Sequence, residues 1–236
     1  MRAALLDNVS HRDLRLQTRL DAAWGDAASA VPTVPAEFKR VQAHFPIVFQ
    51  QSADAGGFQP VALLGLMESR NSFLGLREGG AWEVDHLPWA LERQPLLVGR
   101  DGEGWVVHID LDSPRLSESQ GEPLFLPNGG QSPLLERRVS VLQALHEGMQ
   151  ALPDFIGALL QYQLLEPMSL DIELADGSVR RLAGYYVIDE ERLEALPGSA
   201  VAALHEAGYW FPIAMAVASL ARIPALLARE QRLARA

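Results

Sequence analysis

"SPLLERRVSVLQALHEGMQALPDFIGALLQYQLLEPMSLDIELADGSVRRLAGYYVID", residues 132–189, carries two periodicities in one run, and the change between them decides the fold class. Ser132 followed by Pro133 reads as a helix N-cap with proline at the first helical position. Leu135, Val139, Leu142, Leu145 and Met149 then recur at spacings of three and four, one face of a helix. Pro153 cannot donate a backbone hydrogen bond, so the helix should kink or restart there before reaching about residue 165, with Pro167 closing it. Beyond it the pattern alternates, Leu170, Ile172 and Leu174 against Asp171 and Glu173. With Asp176-Gly177 at the turn, this is the strongest hairpin signal in the chain.

Upstream of this run the pattern is short and apolar, punctuated by Gly and Pro: "PIVF", "PVALLGL", "NSFLGL", "PLLVG" and "WVVHIDL". These read as strands, with a short helix at "LPWALERQ". The apolar stretches on either side of Gly56 and Gly57 read as two adjacent strands of a β core. Residues 1–36, rich in Ala, Ser and Asp and ending in "VPTVPAE", read as an N-terminal arm or linker, so residues 37–236 form a single domain. Downstream, "EERLEAL" and "SAVAALHEAG" read as helices, the second with Ser199 as cap and Gly208 just past its end. Strands first, then helices around a late hairpin, argue α+β: a mostly β N-terminal region and the hairpin packed against a long kinked helix and a C-terminal helix.

Composition removes several functions. With 20 basic against 30 acidic residues and a net charge of −10, no extended basic surface is available for phosphates, so no nucleic-acid partner is expected. The absence of cysteine excludes disulfides, thiolate metal sites and a cysteine nucleophile. The apolar stretch near the N-terminus is broken by Asp7 and Asn8, too short for a secretory leader, and a cytoplasmic location follows. "YWFPIAMAVASLARIPALLA", residues 209–228, approaches the length of a membrane span. Arg222 inside it would cost roughly 2.5–3.5 kcal/mol near a helix centre, and positions 213, 217, 220, 223 and 227 follow helical spacing. A packed C-terminal helix with no transmembrane segment is expected.

Chemistry-bearing patterns are few. His108 and Asp110 would share one face of a strand, and with His205 they form a candidate metal site for an oxygenase or hydrolase. Against it stands the long helix between these residues, foreign to the β-barrels that build such sites. Asp110, Asp112 and Glu122 lack calcium-loop spacing; Asp112 and Ser113 read as a side-chain-stabilised turn. Neither "GGFQPVALLG" nor "PNGGQSP" is a phosphate loop, no cofactor is expected, and His44 and His86 stand apart from any nucleophile. Trp82, Trp89 and Trp105 fall close together beside "DHLPWALERQP". A protein- or peptide-binding groove at Trp82, Asp85, His86, Trp89 and Arg93 is expected, weighed against the same tryptophans simply packing strands together.

The series "FPIVF", "FQPVALLGL", "NSFL", Trp82, "LPWALERQPLLV", "IDLDSPRLSESQGEPLF", "LLEP" and "LAGYYVIDEERLEAL" resembles the SapC-like family of bacterial proteins, in the same order from Glu37 to Leu227. The family name comes from a surface-layer gene and is shared with an unrelated transporter permease. Relatives are often found beside TonB-dependent receptors, cupin-type oxygenases and flavin-dependent tryptophan halogenases. The resemblance thus implies a soluble accessory protein linked to peptide uptake or modification, and it carries no established catalytic residues. An enzyme and a surface-layer component are the alternatives.

Overall fold

The computed structural model describes residues 1–51, 57–74, 82–102, 104–173 and 179–235. The chain begins with three short strands, β1 (Ala3–Leu5), β2 (Arg15–Leu16) and β3 (Ala30–Pro32). A one-turn helix α1 (Phe38–Val41) leads into β4 (Ile47–Gln51) and β5 (Phe58–Leu63). A second, α2 (Trp89–Glu92), leads into the hairpin of β6 (Leu96–Asp101) and β7 (Gly104–Asp110). The two-residue strands β8 (Leu116–Ser117) and β9 (Glu122–Pro123) precede the long helix α3 (Pro133–Gln161). Then come β10 (Leu165–Glu173), β11 (Val179–Ile188) and the helices α4 (Glu190–Glu194), α5 (Gly198–Glu206), α6 (Trp210–Ser219) and α7 (Ile223–Arg235).

The class is α+β, with antiparallel sheets in the orders β10-β11-β4-β5-β3, β1-β7-β6 and β8-β2-β9. The five-stranded sheet and the helices enclose the larger core, centred on Phe38, Phe45, Phe49, Phe155 and Leu159, all essentially inaccessible. A smaller core gathers Leu16, Leu96, Ile109, Leu124, Leu135 and Leu142 beneath the β6–β7 hairpin. Helix α3 serves both: Leu135 and Leu142 enter the smaller core, while Leu145, Leu152, Phe155 and Leu159 enter the larger. Its start is set as the sequence implies, Ser132 Oγ accepting from the Leu135 N–H at 3.2 Å, a cap worth about 1 kcal/mol.

Several expectations need correction. Residues 1–36 are not a loose arm: β1 pairs with β7, β2 with β8 and β9, and β3 with β5. Leu16, Val31 and Val34 from this segment are buried. Helix α3 runs through Pro153 and ends at Gln161 rather than 165, and Pro167 lies in β10 opposite Tyr186. Proline is tolerated there because β10 is an edge strand. Residues 71–74 form a turn, not a strand, with the Asn71 and Ser72 side chains buried and bonded. Pro197 rather than Ser199 occupies the N-cap of α5, whereas Gly208 does follow that helix, at φ +76°. The Asp176-Gly177 turn and Gly56 lie outside the described residues.

The stretch Trp210–Leu233 is, by length and composition, apolar enough to cross a membrane. In the fold a 3-10 turn at Leu220–Arg222 interrupts it, and Ile213, Ala216 and Leu226 join the larger core. Ser219 Oγ accepts from the Ile47 N–H at 2.8 Å. The buried Glu230 carboxylate accepts from the Leu66 N–H at 2.9 Å and the Ser72 hydroxyl at 2.6 Å. These polar contacts tie the segment to β4 and to the turn after β5, since a carboxylate taken out of water needs such partners.

Candidate functional site

The β6–β7 hairpin is rich in apolar and β-branched residues, Leu96, Leu97 and Val98 on one strand and Val106, Val107 and Ile109 on the other, and Leu96 meets Ile109 in register above the smaller core. In the sheet order β6 is an edge strand. The Asp110 N–H donates to Pro95 O at 3.1 Å, which puts Leu96, Val98 and Arg100 at the non-hydrogen-bonded positions opposite β7. Their own N–H and C=O groups therefore project from the free edge. Leu96 uses both locally, its N–H to Arg93 O and its carbonyl accepting from Arg93 Nη1, each at 2.8 Å. Among the described residues, Val98 and Arg100 find no such partner, which leaves a short template for another strand.

Helix α3 runs beside this edge and turns it into the wall of a cleft. One cavity of about 470 Å³ is lined by Arg93, Leu97, Val98, His108, Leu145 and Met149. A second, about 520 Å³, is lined by Val98, Arg100, Trp105, Gln143, His146 and Gln150. Val98 and His146 border both, so the two are one trough, apolar at the Leu97 end and polar at the Arg100 end. A third hollow of about 310 Å³ continues past Arg93 and Leu97 toward Trp24 and Asp112. On the sheet face the His108 ring lies over Gly99, where a Cβ would stand only 2.5 Å from the ring nitrogen. Any larger residue there would have to displace the His108 ring.

Arg93 stands at the junction of the first and third hollows. Burial pushes its guanidinium below the ordinary arginine value, and among the described residues it has no ion-pair partner. The acids that line the third hollow are engaged elsewhere. Asp110 accepts from the Arg2 N–H at 2.8 Å, and Asp112 pairs with Arg2 Nε at 3.5 Å.

Of the five residues expected to form a groove, only Arg93 borders this trough. Trp82 packs at 6.0 Å from the Phe45 ring and 5.8 Å from Phe73, and its indole N–H donates to His86 O at 2.9 Å. Trp89 packs against the larger core, and Asp85 is exposed. His86 Nε2 meets Glu37 Oε1 at 2.9 Å, the same oxygen accepts from the Trp89 N–H at 2.7 Å, and Glu37 Oε2 accepts from Thr33 Oγ1 at 2.8 Å. This arrangement binds the 82–89 loop to the core through a carboxylate with no exposed surface. His44 is half-buried against Phe45, and burial first, then His86, holds its pKa below the ordinary histidine value.

The candidate metal residues part company as well. His108 lines the trough, Asp110 ends β7, and His205 is exposed on α5. Among the described residues no three His, Asp or Glu side chains converge on a cation-sized site. Sequence reasoning counted Trp105, whose side chain is exposed at the hairpin's end, in the tryptophan cluster but left it out of the groove, and it missed His146 on α3. Asp101-Gly102 is a local signal that could have found the hairpin, but nothing local marks which side of it α3 will flank.

The family described as SapC matches residues 6–226 of the chain. No curated protein and no solved structure matches.

Proposed function

The chain belongs to the SapC family, and from that premise we propose that it is a non-catalytic accessory protein that captures an extended peptide segment of a partner in the trough between β6 and α3. The observation that carries this reading is the free edge of β6, with the Val98 and Arg100 backbone groups turned into a trough of mixed polarity. Adding a strand to such an edge supplies main-chain hydrogen bonds for affinity, while pockets take alternate side chains for specificity. The six residues of β6 extend about 20 Å at ~3.3 Å each, room for a partner segment of similar length. Leu97, Leu145 and Met149 offer it apolar contact at one end, and Trp105 offers an aromatic surface at the other. An accessory role of this kind fits the peptide-uptake or peptide-modification setting that the resemblance implies.

Val98→Pro tests it. The lost N–H faces away from β7, so the β6–β7 ladder keeps its bonds and proline is tolerated at an edge. The full chain should enrich a subset of sequences from a bead-displayed library of random hexapeptides. The variant, with an unchanged far-ultraviolet circular dichroism spectrum, should lose that enrichment by about tenfold or more, the loss of at least one main-chain hydrogen bond plus a clash. Equal enrichment by wild type and variant would sink the strand-addition reading.

A further inference from the structure

We propose that the trough recognises the free C-terminus of its peptide, with Arg93 holding the terminal carboxylate and the apolar hollow beside it holding the last side chain. This inference rests on the peptide-capture reading above and adds its direction and its end group. A strand added antiparallel to β6, the pairing used throughout this sheet, runs from the Arg100 end toward Leu96. Its C-terminus therefore arrives beside Arg93, whereas a parallel strand would bring a cationic N-terminus to the same guanidinium. Charge thus favours one orientation and one terminus.

Three observations converge on the end group. Arg93 is anchored through Nη1 on the Leu96 carbonyl, which fixes the guanidinium and leaves its other N–H groups for a planar, two-oxygen acceptor. It is a part-buried cation with no ion-pair partner among the described residues, while the neighbouring Asp112 pairs with the Met1 amino group and the Arg2 guanidinium and Asp110 accepts from the Arg2 backbone N–H. The wall around it is apolar, from Leu97, Leu142, Leu145 and Met149, so an anion that enters carries an aliphatic or aromatic side chain rather than a polar one. His108 and His146 flank the same hollow and offer ring nitrogens to the acceptor's remaining lone pairs.

Two hexapeptide libraries, identical except that one ends in a free carboxylate and the other in a carboxamide, distinguish the possibilities with the full chain. Enrichment should be about tenfold greater from the carboxylate library, with apolar residues dominating the last position. Arg93→Gln should abolish the difference between the libraries, and Arg93→Lys, which keeps the charge, should retain part of it. Equal enrichment from both libraries by the wild-type chain overturns the terminal-carboxylate inference and leaves strand addition standing. A carboxylate preference that survives in Arg93→Gln also overturns it. Enrichment from neither library overturns the peptide-capture reading itself.

Discussion

Glu37→Ala is expected to destabilise the fold by about 3–5 kcal/mol, among the largest effects of any single substitution. The carboxylate has no exposed surface, and its two oxygens serve three groups: the Thr33 hydroxyl, the His86 ring and the Trp89 N–H. Alanine leaves all three in the interior with no acceptor, at about 1–3 kcal/mol for each group that water cannot reach. Because His86 and Trp89 belong to the loop that carries Trp82, the variant should also loosen the tryptophans. The urea midpoint should fall sharply, and the native tryptophan emission should shift to longer wavelength. A loss below about 1 kcal/mol would show that water replaces the carboxylate and that the loop is held by packing alone.

Asp26→Ala should cost a comparable ~3–5 kcal/mol, for a different reason. Asp26 and Arg115 form an ion pair in which both side chains are essentially buried. Arg115 also donates to the Arg19 carbonyl at 2.9 Å and to Gln94 Oε1 at 3.3 Å, and the Arg19 and Arg115 guanidinium groups both lie over the Trp24 ring. Removing the acid strands a buried guanidinium, whose isolation is the dominant cost. The double variant Asp26→Leu with Arg115→Met should therefore recover most of the stability lost by the single one, since apolar replacement of a buried pair is often close to neutral. Denaturation of the wild type, the single and the double variants measures this directly. A double variant no better than the single would mean that the hydrogen bonds to Arg19 and Gln94 lost with Arg115, and the Asp21 N–H left without its Asp26 acceptor, outweigh the relief of the stranded charge.

These two residues also mark the boundary between what was legible in the sequence and what was not. Helix α3 was readable because its cap, its first-turn proline and five apolar residues all agree locally, and β10–β11 because alternation persists over many positions. The first 36 residues were not readable. Strands of two or three residues carry no period, and every partner they have is distant, Ala3 opposite Asp110 and Arg15 opposite Ser117. Such pairings follow from the global arrangement of sheets, which one chain's local chemistry does not encode. Likewise Asp26 and Glu37 look like surface acids until the fold brings Arg115 and His86 to them.

The candidate site divides in the same way. Arg93 stood out by its neighbours in the sequence and His108 by a pattern suited to metals, yet both border a trough whose wall is the edge of a sheet. Edge status depends on the order of strands in space, so no reading of β6 alone could supply it. The tryptophan cluster divides in the fold, because residue type says what a side chain can do at a surface and nothing about whether it reaches one. Trp82 and Trp89 pack inward, and Trp105 keeps an exposed face.

Helix α3 has a further consequence. Leu142 belongs to one core and Leu145, less than a turn later, to the other, and the trough opens against the same turn of helix. A segment shared in this way cannot melt on one side while the other stays intact, because each side supplies the burial that keeps the shared turn helical. The two halves of the molecule are therefore thermodynamically linked through a single stretch of backbone. Any occupant that steadies that stretch tightens the whole chain against opening, far beyond the residues it touches.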